Sequence, residues 1–289
     1  MASSLIRIFA LVTLTMIAFA ANSVLARLAL ADGAIDPASY TLLRLASGAL
    51  MLVVLAFMTS KQNTGDVVRS GHWISAAALF VYAAGFSVAY LALDTGVGAL
   101  ILFAVVQATM IGWALYSGDR PIALEWVGLI TAFGAFVWLV SPGLSAPDPY
   151  GTVLMVAAGV AWGVYSVRGR SSVDPLAATA GNFVMAVPLG IAMLAVWAFY
   201  LSASWQGIAL GVASGAITSG LGYALWYRVL PLITGTQAAI VQLTVPVIAA
   251  AGGVLFASDP LTMRFIVASA LILGGVALAI TAKARRASP

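Results

Sequence analysis

Charged residues are missing from stretches of this chain that are far longer than a single helix. Between Pro175 and Tyr227 there is no Asp, Glu, Lys or Arg. Charged residues make up 8% of the whole chain and hydrophobic residues 63%, whereas about 25% of the residues of a soluble domain are charged. Water cannot be the main solvent of such a chain, and apolar runs of helical length predict an all-α integral membrane protein.

The apolar runs predict ten transmembrane helices. About 20 mostly apolar residues are needed to cross the hydrocarbon core, and charges, Gly and Pro mark the ends of the runs. The long uncharged stretch is divided near Ser202, where the following Trp205 suits the membrane interface. The predicted spans lie near 5–30, 37–58, 72–92, 95–116, 122–141, 149–168, 175–201, 205–228, 234–257 and 262–281.

The basic residues predict the orientation of these spans. With ten spans, both termini and the even-numbered loops lie on one side, and loops rich in Lys and Arg stay in the cytoplasm. The opposite side carries Arg27 and Arg264, and Arg44 falls inside the second span. Both termini are therefore expected to be cytoplasmic. Their side carries Arg7, Lys61, Arg69, Arg120, Arg168, Arg170, Arg228, Lys283, Arg285 and Arg286.

The sequence excludes several kinds of site and partner. It has no cysteine and a single histidine, His72, so it can form neither a disulfide framework nor a Cys/His metal site. The formal charge of +4 does not indicate a nucleic-acid partner, because the basic residues are scattered singly between apolar runs. A P-loop is missing, which rules out direct use of ATP. We expect no cofactor, no metal and no nucleic acid, and membrane lipid around the chain.

Short matches along the chain indicate an internal repeat. Ala18–Val24, followed by Arg27, aligns with Ala161–Val167, followed by Arg170, at a shift of 143 residues. The order of this and the later matches predicts two five-helix repeats, residues 1–143 and 144–289. The later pairs are Asp36-Pro37 with Asp174-Pro175, Thr95-Gly96 with Thr234-Gly235, and Leu115–Asp119 with Leu255–Asp259.

A repeat of five helices has an odd number of crossings, so its second copy enters the membrane from the opposite side. The two repeats are then inverted. In secondary transporters with inverted repeats, the two halves rock about a substrate site near the bilayer midplane and expose it to each side in turn. The repeat therefore favours a carrier that works by alternating access, for which no oligomer is required.

Four local sequences carry a resemblance to a known family: Ala161-Trp162-Gly163, Tyr223–Arg228, Thr244–Val247 and Gly274-Gly275. With these marks the chain resembles the drug/metabolite transporter superfamily, in particular its ten-helix EamA-type members. Asp119 and Asp259 stand where that family usually has Glu at the ends of the fourth and ninth spans. The chain looks most like the YddG-type aromatic amino acid exporters. This resemblance implies export of amino acids or related metabolites, aromatic amino acids above all, through the inner membrane of a bacterium.

Polar and aromatic side chains in the middle of the spans are the candidate substrate-binding residues. At that depth they are costly unless they line a wet path or pair with each other. Asn22 and Tyr165 occupy equivalent repeat positions, so both halves place a polar group at one level. Amides, tyrosines and Trp162 can together bind an ammonium, a carboxylate and an apolar side chain. The candidates are Asn22, Tyr82, Tyr90, Gln107, Trp162, Tyr165, Ser219, Tyr223 and Gln242.

Simpler interpretations exist for several of these residues. Tyr82, Phe86 and Tyr90 recur at i, i+4 and i+8, and such an aromatic stripe can serve packing alone. Gln107 and Gln242 can bridge helices without touching a substrate. The sequence leaves both interpretations open.

Arg44 is the one charged residue well inside a predicted span. It can snorkel to the interface, pair with a helix-end carbonyl or hold a substrate carboxylate. The nine acidic residues fall at loops or span ends instead. Because proton-coupled carriers usually keep a carboxylate or histidine near the substrate, this placement predicts a facilitative carrier. The acidic residues are Asp32, Asp36, Asp66, Asp94, Asp119, Glu125, Asp148, Asp174 and Asp259.

Two other functional classes fit the sequence less well. A membrane-embedded enzyme would need a cluster such as two histidines or a metal-binding carboxylate pair inside the membrane, which the sequence lacks. A channel would need rings of like residues contributed by an oligomer, and a repeat within one chain argues against it. The sequence predicts a transporter without enzymatic activity, and efflux of drugs or nucleosides stays open beside amino acid export.

Overall fold

The computed structural model describes residues 2–60, 64–118, 120–141, 143, 146–169, 172–233, 238 and 241–287. Within these ranges the chain consists of helices, turns and loops, with one isolated β-bridge between Ile35 and Ala203. Five residues used in the sequence analysis lie outside these ranges: Lys61, Asp119, Arg170, Thr234 and Gly235.

The helices are numbered here in chain order. They are α1 (Ala2–Leu30), α2 (Pro37–Ser60), α3 (Thr64–Arg69), α4 (Trp73–Ala89), α5 (Thr95–Tyr116), α6 (Ala123–Val140), α7 (Pro149–Gly169), α8 (Pro175–Val196), α9 (Trp205–Ala213), α10 (Gly222–Val229), α11 (Val245–Phe256) and α12 (Met263–Ala287). The segment Ser214–Leu221 is a π-helix that joins α9 to α10. Single 3-10 turns cover Ala198–Tyr200 and Leu230–Leu232.

In the described part of the chain, eight helices are long and apolar enough to cross a membrane. They coincide with eight of the ten predicted spans, α9 and α10 counting as one. The apolar helices α4 and α11 stand at the third and ninth predicted positions and are shorter. The chain is therefore a multi-pass membrane protein, while a total of ten spans stays a prediction.

The predicted division of the uncharged stretch is confirmed, although its first helix is shorter than expected. Helix α8 ends at Val196 instead of continuing to residue 201, and α9 begins at Trp205. Ser204 caps α9, since its Oγ accepts a hydrogen bond from Gly207 N at 3.1 Å. Ser204 Oγ also donates to Ala34 O at 2.8 Å. The turn is thus held by the first half of the chain, which a local sequence pattern cannot reveal.

Loops that are distant in sequence meet at one end of the helix bundle. Arg27, near the end of α1, pairs with Asp94 and Asp259, with N–O distances of 3.3 Å to each. Asp36 N donates to Ser202 O at 2.8 Å, and Ser202 N donates to Asp36 Oδ2 at 3.1 Å. We call these five residues the closed rim.

The other end of the bundle is held by a separate set of contacts. His72 N donates to Asn182 Oδ1 at 2.8 Å, and Arg168 Nε donates to Ser75 Oγ at 3.3 Å. These residues lie beside the second and sixth predicted loops, within about two helical turns of them. The two even-numbered loops are therefore close to each other at the end opposite the closed rim.

Helices α6 and α12 pack closely through glycine. A Cβ placed on Gly275 would lie 2.5 Å from Gly128 O, and a Cβ on Gly128 would lie 2.4 Å from Gly275 O. Small residues let helix backbones approach in this way inside a membrane. Gly274, its neighbour on α12, faces no atom within 4 Å. Of the Gly274-Gly275 pair, Gly275 is therefore the glycine that this packing needs.

Candidate functional site

A cavity of about 740 Å³ lies among the helices. Its wall runs from side chains in the middle of α1, α2 and α4 to the ends of α5, α7 and α8 at Leu115, Gly169 and Pro175. None of the five closed-rim residues lines it. The cavity therefore extends from the middle of the bundle toward the end opposite the closed rim. Its volume lies in the usual range for pockets that hold small molecules.

The structure brings eight of the nine candidate residues together on the wall of this cavity. They come from α1, α4, α5, α7, the π-helix, α10 and the stretch before α11. That these side chains touch a substrate stays a prediction. The eight are Asn22, Tyr82, Gln107, Trp162, Tyr165, Ser219, Tyr223 and Gln242.

Tyr90, the ninth candidate, does not line the cavity. It is fully buried, its ring centroid lies 4.7 Å from that of Phe86, and its hydroxyl donates to Thr95 O at 3.2 Å. The stripe on α4 runs lengthwise, so its last member reaches the end of the helix that faces the closed rim. In this structure Tyr90 makes packing contacts, whereas Tyr82 and Phe86 line the cavity.

Trp162 is the centre of an aromatic cluster on the cavity wall. Its ring centroid lies 4.7 Å from that of Tyr82, 5.2 Å from that of Tyr165 and 5.5 Å from that of Tyr223. The rings of Trp162 and Tyr165 are nearly parallel, at 16°. Clustered rings of this kind present an apolar surface with polar edges, which suits a planar apolar group.

Asn22 lies in a hydrogen-bonded network on the same wall. Its Oδ1 accepts from Ser214 Oγ at 2.6 Å and from Thr218 Oγ1 at 3.2 Å. Its Nδ2 donates to Tyr82 OH at 3.4 Å. Ser214 and Thr218 belong to the π-helix, a geometry that is rare and frequently found at functional sites. The network joins the two halves of the chain at the level of the cavity.

Arg44 also lines the cavity and is almost completely buried, with 3% of its surface exposed. Its Nη2 donates to Tyr82 OH at 2.6 Å, and its Nε lies 3.5 Å from Ser219 Oγ. The guanidinium lies over the rings of Tyr82 and Phe86, at 4.9 and 4.7 Å from their centroids. Burial at this depth rules out the snorkelling interpretation. The hydrogen bonds to hydroxyl groups leave the substrate interpretation as the one to test.

Tyr165, which the predicted repeat pairs with Asn22, lies in a second network. Its hydroxyl lies 3.3 Å from Thr179 Oγ1 and accepts from Asn182 Nδ2 at 3.4 Å. Thr179 Oγ1 in turn lies 2.6 Å from Tyr227 OH. The two positions that the predicted repeat pairs thus both lie in polar networks beside the aromatic cluster.

The two glutamines and Ser219 line the cavity in different ways. Gln107 is 6% exposed on α5, whereas Gln242 Nε2 donates to Ala238 O at 3.2 Å. Ser219 belongs to the same helix as Gly215, at which a Cβ would lie 2.0 Å from Ser47 Oγ. Gly215 therefore makes a close helix contact, and Ser219, one turn later, faces the cavity.

Glu125 is a cavity residue that the sequence analysis did not propose. It lies in the first turn of α6, as its position at a span end predicts, but it is only 4% exposed and lines the cavity. Its Oε1 accepts from Ile122 N at 3.3 Å. In sequence, a carboxylate at a span end looks like a helix-capping residue. The position of Glu125 on the cavity wall could therefore not be foreseen.

Comparisons with known proteins found one family model and several relatives. Residues 149–281 match the EamA-like transporter family. Over its whole length the chain is similar to an uncharacterized protein of Pseudomonas aeruginosa, with 46% identity over 98% of this chain and 97% of that protein. The family match covers the second half of the chain and, with the transporters described next, supports a membrane transporter of small molecules.

More distant similarities of the chain agree with that assignment. An uncharacterized transporter of Archaeoglobus fulgidus is 26% identical over 65% of this chain and 68% of that protein. The threonine/homoserine exporter RhtA of Escherichia coli is 25% identical over 59% of each chain. A crystal structure with 20% identity, covering 96% of this chain and 98% of the other, has the same fold at a TM-score of 0.62.

Proposed function

We propose that this protein exports amino acids, aromatic ones above all, from the bacterial cytoplasm through ten spans in two inverted repeats. The observation that carries the proposal is the aromatic cluster around Trp162 on the wall of a cavity large enough for an amino acid. The side chain of an aromatic amino acid can stack on Trp162, while hydroxyl and amide groups nearby bind its polar end. The similarity to a threonine/homoserine exporter supports the amino acid class.

The pattern of helix contacts supports the inverted repeat. If residues 1–143 correspond to residues 144–289, α1 corresponds to α7, α4 to the α9–α10 helix and α5 to α11. The contact of α4 with α7 then has its counterpart in α1 with α10, and that of α5 with α7 in α1 with α11. Helices α2 and α6 likewise correspond to α8 and α12. In the pairs α2–α8, α5–α11 and α6–α12, each helix therefore contacts its own counterpart. All of these contacts are present, which a two-fold relation between the halves requires.

The two ends of the cavity support alternating access. The end with the closed rim is held by hydrogen bonds and ion pairs, and the cavity extends toward the end with the even-numbered loops. The charge distribution predicts that this second end faces the cytoplasm. The structure then corresponds to a state in which a substrate enters from the cytoplasm. Export follows when the rim opens and the cytoplasmic end closes.

Counterflow in proteoliposomes tests the proposal. Purified protein is reconstituted with unlabelled phenylalanine inside, and the uptake of labelled phenylalanine is measured. Loss of the central ring in Trp162→Ala should raise the KM at least about tenfold. Trp113→Ala is the matched control, because Trp113 is more than half exposed and does not line the cavity. Equal KM values for the two variants would remove Trp162 from the site.

The same vesicles test the substrate class and the energy source. If the vesicles exchange a nucleoside or a cationic dye but no amino acid, the protein is a nucleoside or drug exporter and the proposal is wrong. A facilitative carrier should exchange substrate without a pH gradient. Should exchange need such a gradient, and lose this need in Glu125→Gln, the facilitative mechanism would be wrong and Glu125 would be the proton site.

A further inference from the structure

The guanidinium of Arg44 is a buried cation with no carboxylate partner among the described residues. The ion pairs of Asp94 and Asp259 are made with Arg27 instead. The hydrogen-bond partners of Arg44 are the hydroxyls of Tyr82 and Ser219, and its Nη1 is buried without any hydrogen-bond partner. The guanidinium has five N–H donors, but its neighbours provide only two neutral acceptors and the faces of two aromatic rings.

An arrangement of this kind is costly unless a ligand completes it. A buried charge without a counter-ion loses its hydration, and hydroxyl groups and ring faces replace only part of it. An ionisable side chain within a membrane span usually marks a functional site for this reason. A planar guanidinium fits a carboxylate with two parallel hydrogen bonds better than it fits any other common group.

We propose that Arg44 binds the carboxylate of the substrate and that, among the described residues, no carboxylate lies at its level of the cavity to pair with an ammonium. The proposal rests on the proposed function and narrows its substrate class to carboxylates with an aromatic or bulky apolar body. The carboxylate takes up Nη1 and replaces the Tyr82 hydroxyl at Nη2. The aromatic body then lies against Trp162, because the ring of Tyr82 contacts Trp162 at 4.7 Å while its hydroxyl reaches Arg44.

The second half of the proposal follows from the charges of the cavity wall. The polar groups on the wall near Arg44 are neutral side chains, among them Asn22, Tyr82 and Ser219. Among the described lining residues Glu125 is the one acidic side chain, and it lies in the first turn of α6, at the end of the bundle opposite the closed rim. A substrate held by Arg44 therefore keeps its carboxylate in the site, and its amino group is dispensable.

Competition on the unmodified protein tests this selectivity directly. Counterflow of labelled phenylalanine is measured with 3-phenylpropionate, which lacks the amino group, and with phenethylamine, which lacks the carboxylate. We expect 3-phenylpropionate to compete within about threefold of unlabelled phenylalanine and phenethylamine at least about tenfold more weakly. Equal competition by the acid and the amine, or stronger competition by the amine, would overturn the proposal.

Substitutions then assign the selectivity to Arg44. Binding is followed in detergent by the tryptophan fluorescence that Trp162 contributes, so that it does not depend on transport. In Arg44→Gln, 3-phenylpropionate should lose at least about tenfold in affinity, and Arg44→Lys should recover part of the loss. Arg228→Gln is the matched control, because Arg228 is exposed and does not line the cavity. If Arg44→Gln is monodisperse and binds the acid as well as Arg228→Gln does, Arg44 is not the carboxylate site.

The outcomes separate this inference from the proposed function. Counterflow of phenylalanine with equal inhibition by acid and amine would contradict the carboxylate site and leave the exporter proposal intact. Binding of 3-phenylpropionate that depends on Arg44, without counterflow of any amino acid, would contradict amino acid export and leave the carboxylate site intact.

Discussion

Arg27 Nε lies 3.3 Å from Asp259 Oδ1, so an ion pair joins the end of α1 to the loop after α11. Asp259 is 8% exposed, and its other oxygen accepts from Thr95 N at 2.7 Å. One carboxylate thus ties together three segments of the closed rim. Removing one partner of a buried charge pair is more damaging than removing an exposed charge, because the remaining charge stays buried and unpaired.

Asp259→Asn should loosen the closed rim. Because the chain has no native cysteine, a single cysteine at Met110, a half-buried cavity residue of α5, can report access. We expect an impermeant maleimide to label Met110→Cys slowly from the rim side, and several-fold faster when Asp259→Asn is added. Asp32→Asn serves as the control, because Asp32 is exposed and outside the rim contacts. The same labelling rate in both double variants would show that the ion pair does not close the cavity.

The predicted orientation can be tested with two further single cysteines. Asp32 lies in the first loop and Ser70 in the second, and both are exposed. If the termini are cytoplasmic, intact cells should label Asp32→Cys with an impermeant maleimide, and Ser70→Cys only after the membrane is made permeable. The reverse pattern would invert the assignment of the two ends and make the cavity face outward.

The stability of the closed rim should depend on pH through Asp94. Burial and the neighbouring Asp259 raise the pKa of the Asp94 carboxyl above its usual range, and Arg27 offsets part of this shift. A raised folded-state pKa means that the folded protein binds the proton more tightly than the unfolded chain, so the group stabilises the fold increasingly as pH falls through that pKa. As the pH is lowered from 7 to 4, the Tm of the wild type should therefore rise relative to the Tm of Asp94→Asn. A constant difference would exclude Asp94 as the titrating group.

The glycines of α6 and α12 offer a packing test with a matched control. Gly275→Val should destabilise the protein by about 1–3 kcal/mol, because its side chain would overlap the backbone at Gly128. Gly274→Val introduces the same side chain next to it, where no atom lies within 4 Å, and should change the Tm little. Thermal unfolding in detergent measures both variants. Equal losses would mean that helix propensity, and not contact, decides the effect.

Much of the candidate site could be foreseen because polar side chains in lipid need a partner or a cavity. This reasoning found Asn22 and Trp162 without knowledge of the fold. It also selected Tyr90, which lies outside the cavity wall, because a stripe along a helix does not reveal where the cavity ends. It left three roles open for Arg44. The hydroxyls of Tyr82 and Ser219 that contact this side chain come from elements distant in sequence, so the sequence could not decide among those roles.

Parts of the fold left no local signal. The π-helix Ser214–Leu221 lies inside one uncharged stretch that has no proline between Trp205 and Tyr227 to mark a change of helix geometry. It packs closely against α2 at Gly215. Helix α3 is six residues long and polar, too short for a periodic pattern. The eight long spans were predictable because their length and composition are set by the thickness of the membrane.

The contacts of the closed rim have a consequence for the cost of its opening. Arg27–Asp259 and both hydrogen bonds between Asp36 and Ser202 each join a residue before position 143 to one after it. Separating the two halves at this end breaks these bonds together, while the helix hydrogen bonds inside each half stay intact. The activation barrier for opening is then concentrated in a few polar contacts that water can replace as they part. Changes at the rim should alter how often the protein turns over without altering what it binds.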